Sequence, residues 1–373
     1  MSRLSKIKNS LLLLLGLVAA VAAILVGLGF VSGSSSKSSS LSRASGQWHA
    51  IADAPEPIAA DRTTIWTGSE MIVTGFNPGS DGTFTDSTEV AQAYDPGTNA
   101  WRQLPEPPAT ANYCRRSAAW TGHEMLVWGC GLTAYNPTTN QWRRLPDSPT
   151  RNGIVVWTGR ELIGWGGGCC GDVSDDGSAY NPATNTWRKL APVPVSGQQS
   201  PVGVWTGREL VIFNGHGPEG DRVGGAAYNP KTDTWRRISS QSRIRALTAV
   251  YDGNEIYAIG GPRVLAFNPS NNSWRQLRRS AFGAGDVVAV WTGNRLIVSG
   301  TATRAYDPPR DLWTMLSPSP LGSRQGADAV WTGREMIVWG GEVPAASGSP
   351  KYLADGAAFL PAKYSPPLPQ CSC

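Results

Sequence analysis

Across 373 residues, 43 glycines, 28 prolines and 16 tryptophans stand beside only 16% charged residues, a balance that suits many short strands and tight turns. The formal charge of +5 is concentrated at one end: Arg3, Lys6, Lys8 and Lys37 lie in the first forty residues, which hold no acid, leaving 29 basic against 28 acidic residues in the rest. Such a near-neutral remainder lacks the basic excess of a nucleic-acid binder, so no nucleic-acid partner is expected.

Residues 1–10 read as a cytoplasmic N-terminus and 11–32 as a transmembrane helix or signal anchor. Leu11 to Val31 is an uncharged apolar run of 21 residues behind three cations. A signal-peptide core spans roughly 7–15 residues and a membrane-crossing helix roughly 20, so the length favours an uncleaved anchor. The positive flank keeps the N-terminus in the cytoplasm and sends the rest across. The expected location is therefore a cell membrane, crossed once, with the folded part outside the cytoplasm. The alternative is secretion after cleavage at Gly33, since Val31 and Gly33 are small enough for a peptidase. Residues 33–45 form a Ser-rich linker with too little apolar content to fold.

The chain beyond residue 45 is internally repetitive. Trp-Thr-Gly occurs at Trp66, Trp120, Trp157, Trp205, Trp291 and Trp331, with Tyr251-Asp252-Gly253 as a seventh variant. A second block reads Ala-Tyr-Asn/Asp-Pro or a close variant, and a Trp follows its aromatic by seven residues in six copies, from Tyr94 and Trp101 to Tyr306 and Trp313. Each unit predicts four strands: A running into the Thr-Gly turn, B ending at a Gly, C carrying the tyrosine, and D carrying the second Trp. Units of 37 to 54 residues match the period of a propeller blade.

The last unit has a strand C at Ala358-Phe359-Leu360 but no following Trp. Gln47-Trp48-His49-Ala50-Ile51 is a strand D without a strand A, B or C before it. Pairing the two closes a ring of seven blades and leaves no open edge at the seam. The predicted fold is thus all-β, a seven-bladed propeller over 46–361 whose ring is closed by an N-terminal strand, followed by a Pro/Cys tail at 362–373. The Gly after strand B, the spaced tyrosine and the following Trp resemble the kelch repeat, the propeller of galactose-oxidase-like enzymes. The resemblance implies this fold much more firmly than any activity.

In such a meander the A–B and C–D turns share one face of the disc, and the B–C and D–A connections share the other. The turns are near copies of one another. The B–C connections differ, with long ones at Asn77 to Val90, Gly168 to Ser178, His216 to Gly225 and Glu342 to Gly356, so a ligand is expected on that face. Arg62, Arg116, Arg151, Arg245 and Arg324 lie four to seven residues before the strand A aromatics and open on the same face. Pointing inward, they would ring the channel mouth with groups suited to carboxylate or sulfate. The alternative is that they hold neighbouring loops together. His216 and Asp221 on the blade 4 connection complete the candidate ligand-binding set. All sixteen Trp are accounted for by repeat positions and are read as core.

A galactose-oxidase-like copper site requires two His beside two Tyr. His49, His123 and His216 are the only histidines, and only His216 is on the candidate face, so no metal or other cofactor is expected. Sialidase-type Asp boxes are not reproduced either, and Ser80 to Phe84 has the wrong spacing. The kelch resemblance leaves one enzymatic reading, a mutarotase-like activity on an anionic sugar with Glu219, Asp221 or Glu342 as acid or base. Cys114, Cys130, Cys169, Cys170, Cys371 and Cys373 suit disulfides on an oxidising side of the membrane, although the Cys-Cys and Cys-x-Cys pairs could hold a soft metal instead. A link from the tail to the blade 3 loop would draw the terminus to the B–C face. The expected function is recognition of a glycan or protein ligand outside the cytoplasm. A carbohydrate-active enzyme and a purely structural surface module remain as alternatives.

Overall fold

A computed structural model describes residues 46–362 except 78–86, 109–115, 130, 151–152, 169–172, 199–200, 214–224, 240–247, 261–262, 279–285 and 346–348. The chain divides into two units, 1–40 and 41–373, and every described residue belongs to the second. The span predicted at 11–32 and all six cysteines lie outside the described residues. Among the described residues no helix is long and apolar enough to cross a membrane, the one helical element being a single turn at Pro308–Arg310.

Seven four-stranded antiparallel sheets form the blades, at 60–103, 117–144, 154–189, 202–237, 248–276, 288–315 and 328–360. The seventh takes its outermost strand from the start of the chain. Gln47–Ala50 pairs with Gly356–Leu360, with Trp48 opposite Phe359. The innermost strands contact one another in sequence, and that of blade 7 meets that of blade 1, so the ring is closed.

The turns explain why the sequence repeats as it does. Each threonine of Trp-Thr-Gly accepts the amide two or three residues on with its Oγ1, as Thr67 accepts from Glu70 at 2.9 Å, and the next residue is a glycine at positive φ, +104° at Gly68. The C–D turn places an Asn or Asp in the left-handed region that those side chains tolerate, at Asn99, Asn140, Asn185, Asp233, Asn272 and Asp311. Strand B is buried throughout, as in Met336–Trp339. Its side chains pack between adjacent sheets, so each apolar cluster draws on two neighbouring blades; Tyr257 and Ile259 of blade 5 meet Leu296 and Val298 of blade 6. Full burial of each such side chain stabilises by roughly 1.5–3 kcal/mol.

The tryptophans divide into two kinds, where the sequence suggested one. Only Trp128, Trp165 and Trp339, at the ends of strand B, are fully buried. The strand D tryptophans are half-buried staples between blades. Trp101 Nε1 donates to the Ala52 carbonyl, Trp142 to Pro105, Trp187 to Pro146, Trp235 to Ala191 and Trp274 to Ser239, all at 2.8–2.9 Å. Trp48 makes the same bond to Ser317, at 2.9 Å, so the borrowed strand is tied to blade 6 as well as to its own sheet.

Both ends of the propeller emerge on the turn face. Strand C of blade 7 runs away from the B–C face, and Pro361 and Ala362 lie beside Asn294 and Arg334 of two A–B turns. The described chain therefore ends on the turn face, and the cysteines of the expected tail-to-loop link lie outside the described residues.

Candidate functional site at the channel mouth

The seven innermost strands begin around the axis on the B–C face, and there the described residues enclose a cavity of about 430 Å³. Asp61, Arg62, Arg116, Gln325, Asp328 and Glu342 supply its polar wall, from blades 1, 2 and 7. The start of blade 1 is shaped by a bulge between Ala60 and Thr63, with Asp61 at φ +47°. Gly75 on strand B permits that bulge, since a Cβ there would stand 2.5 Å from the Ile58 side chain and 2.7 Å from the Ala60 carbonyl. A residue held in a sparsely populated conformation beside a cavity is a recurrent mark of a binding site.

Of the five arginines expected to ring the mouth, Arg151 and Arg245 lie outside the described residues, as do His216 and Asp221. Arg62 and Arg116 reach the cavity, whereas Arg324 lies beside it, in a crevice between blades 6 and 7. Each of the three is committed to an acid. Arg62 pairs through Nε with Asp328, donates from Nη1 to the Ile58 carbonyl at 3.1 Å and from Nη2 to the Gly326 carbonyl. Its guanidinium also lies 5.7 Å from the Trp339 ring centre. Arg116 makes a two-pronged pair with Glu89, and its guanidinium stacks 4.0 Å from the Phe76 ring. The side chains of that pair are only 3% and 7% exposed. Arg324 grips both oxygens of Asp355 at 3.0 Å and the Gly340 carbonyl at 3.0 Å. These contacts fasten the D–A segments to adjoining strands, the loop-holding role that the sequence left as an alternative.

Sequence reasoning missed the partners. Glu89 was assigned to the long blade 1 connection, but strands B and C there run to Asn77 and from Thr88, so Glu89 is a strand residue opposite Phe76. Asp328 and Asp355 lie 266 and 31 residues from their arginines. The only available signal was an acid beside the start of a strand, as at Asp286 and Asp328, where Asp286 accepts the Gly326 amide at 2.8 Å. Glu342, an acid–base candidate from the sequence, does line the cavity and anchors a short ribbon, Glu342–Val343 with Lys351–Tyr352.

No group of three or more His, Cys, Asp and Glu positioned to hold a metal ion occurs among the described residues. His123 is in a turn on the far face, and His49 replaces the arginine of the repeat, 3.6 Å from Glu335.

Comparison with known proteins places the fold. The chain has the fold of a seven-bladed β-propeller. A solved structure described as a novel fungal alcohol oxidase with catalytic diversity among the AA5 family, in complex with copper, superposes with a TM-score of 0.66 at 14% identity, covering 85% of this chain and 76% of that one. Solved chains that match number 1086, so the scaffold is common and carries no activity with it. No protein-family model matches the chain, and no curated protein does.

Proposed function

We propose that this propeller is a non-catalytic recognition module, tethered outside the cytoplasm by the apolar run at 11–32, that takes a polar ligand at the channel mouth. The observation that supports it is the 430 Å³ cavity, within the range of about 300–1,000 Å³ usual for small-ligand sites, with acids, amide and guanidinium groups converging on it. Because both guanidiniums that the described residues bring there are already paired with carboxylates, recognition rests on a fixed array of donors and acceptors rather than on excess positive charge. A polyhydroxylated sugar or a polar protein loop suits such an array, since every buried polar group must find a partner.

The test is a thermal-shift screen of a glycan panel against the full chain, beside Asp61→Asn and Glu342→Gln. Both substitutions keep shape, and Asn tolerates the backbone conformation at position 61. A ligand at 100 times its Kd stabilises the folded state by about 2.7 kcal/mol. The expected result is a shift for one class of glycan that shrinks in both variants. An equal shift in wild type and variants would move the site elsewhere. A folded chain that no glycan stabilises would favour a protein ligand, and release of a modified sugar would convert the module into an enzyme.

A further inference from the structure

On the turn face, each blade boundary is walled by the A–B turn of one blade and by the A–B and C–D turns of the next. Three positions there are free to vary: the residue after each Thr-Gly, and the residue after Asn-Pro. At the boundary of blades 1 and 2 they are Ser69, His123 and Thr138, and at that of blades 4 and 5 they are Arg208, Asn254 and Ser270. Only between blades 3 and 4 are all three cationic, as Arg160, Arg208 and Lys231. That boundary also opens into a cavity of about 680 Å³, larger than the channel mouth.

The surroundings of these three side chains are already settled. Arg188, the fixed arginine of the repeat, is taken up by Glu161 at 2.9 Å, Tyr228 at 3.0 Å and Asp233 at 3.4 Å. Arg160, Arg208 and Lys231 are exposed, and none makes an ion pair among the described residues. The cavity thus sets four cations against two carboxylates, and both carboxylates are on Arg188. Trp205, half-buried, forms part of the wall. The turn beside it is rigid, with Thr206 Oγ1 accepting from the Glu209 amide at 3.0 Å and donating to the Glu209 carbonyl at 3.0 Å. Guanidinium groups are matched to carboxylate and sulfate, and an indole offers a flat apolar surface beside them.

We infer that the crevice between blades 3 and 4 binds a sugar bearing carboxylate or sulfate groups, its ring against Trp205 and its anions on Arg160, Arg208 and Lys231. The site is on the opposite face from the channel mouth and does not depend on that reading. Its charges are exposed, so binding weakens as salt shortens the Debye length below about 10 Å.

The repeat provides variants that the fold already accommodates: Arg160→Ser, Arg208→Asn and Lys231→Ser install the residues found at Ser69, Asn254 and Ser270, and Trp205→Tyr installs that of Tyr251. Isothermal titration of the full chain would use digalacturonate, a sulfated disaccharide, neutral digalactose, sodium sulfate and phosphatidylglycerol vesicles. The expected result is binding of at least one acidic disaccharide, lost roughly tenfold or more in the triple variant, about 1.4 kcal/mol or more. It should weaken in Trp205→Tyr and be unchanged in Asp61→Asn. Neither acidic disaccharide binding, equal affinity for digalactose or for sulfate alone, or an unaffected triple variant would each overturn the inference. Binding to the vesicles without either disaccharide would overturn it too, and assign the cations to a lipid surface.

Discussion

The two faces of the disc solve one problem, holding arginine against acid, in opposite ways. On the turn face the solution is periodic. Glu70–Arg102, Glu124–Arg143, Glu161–Arg188, Glu209–Arg236 and Glu255–Arg275 repeat blade after blade. From three of these arginines a further donor crosses to a tyrosine of the next blade, as from Arg275 to Tyr306 at 3.1 Å. Among the described residues of the B–C face the pairing does not repeat: Arg62, Arg116 and Arg324 take Asp328, Glu89 and Asp355, acids at three different places in their blades. The periodic pairs are half-exposed and interchangeable, which suits stacking identical units. The aperiodic pairs hold their arginines deeper, and the Arg116–Glu89 pair is buried on both sides, which suits a site built once.

The comparison breaks most visibly at its two extremes of burial. Arg116→Ala strands the Glu89 carboxylate, 7% exposed, without its partner, and a buried pair broken from one side costs about 3–5 kcal/mol. Arg102→Ala removes a guanidinium 39% exposed from Glu70, 20% exposed, and such pairs are worth about 0–1 kcal/mol. Urea denaturation of the full chain should show a large loss in the first variant and little in the second. The double variant Arg116→Met with Glu89→Leu should recover most of that loss, because neither charge then remains buried. Comparable losses for Arg102→Ala and Arg116→Ala would erase the distinction between the faces.

A second, smaller effect sharpens what the periodic face contributes. Tyr94 donates to Asn99 at 2.9 Å and Tyr306 to Asp311 at 2.7 Å. Burial pushes both phenols up to about 12, helped at Tyr94 by Glu335 and Asp95 and at Tyr306 by the bond to Asp311, with Arg275 opposing. An unfolded phenol ionises near 10. The unfolded chain therefore gives up its protons first, and stability is intact below pH 10 and falls as the pH rises to about 12. Replacing both by Phe should cost about 1 kcal/mol per lost bond at neutral pH. Over the window from 10 to 12 the double variant should lose less than wild type, so the two denaturation midpoints converge. A constant gap would mean that the phenols titrate alike folded and unfolded.

The periodic face was also the legible one. Thr-Gly turns, αL asparagines and seven-residue Tyr–Trp spacing are local, so the blade count and the borrowed strand at Gln47–Ala50 can be read from the sequence. The variant Tyr251-Asp252-Gly253 makes sense only in three dimensions: Asp252 accepts from the Tyr257 hydroxyl at 2.7 Å in a blade whose strand C carries Phe267 in place of tyrosine. The arginines of the channel mouth could be picked out by position, but not their partners. Glu89 reaches Arg116 across a blade boundary, and Asp328 reaches Arg62 across the ring seam, separations that no spacing rule contains. The face on which the last described strand ends follows from strand direction, because strand C of blade 7 runs to the turns.

The smallest expected effect concerns Asp233, which brings a carboxylate into the crevice of blades 3 and 4. Asp233 occupies a site that is asparagine at Asn99, Asn140, Asn185 and Asn272. Burial raises its carboxyl, but the bonds from Tyr228, the Ala191 amide and Arg188 outweigh that and hold it below the usual range. It therefore adds stability above the unfolded carboxylate pKa, near 3.9, that is lost as the pH falls through its lowered folded value. Asp233→Asn keeps an oxygen for Tyr228 and the accustomed backbone, so stability at neutral pH should change by no more than about 0.5 kcal/mol. The acid limb of the denaturation midpoint against pH should flatten, and an acidic disaccharide should bind more tightly, because one of the two carboxylates in that crevice is gone. A large loss at neutral pH would show that the charge, rather than the turn geometry, holds this boundary together, and blades 3 and 4 would then differ from their neighbours in structure and not only in what they present.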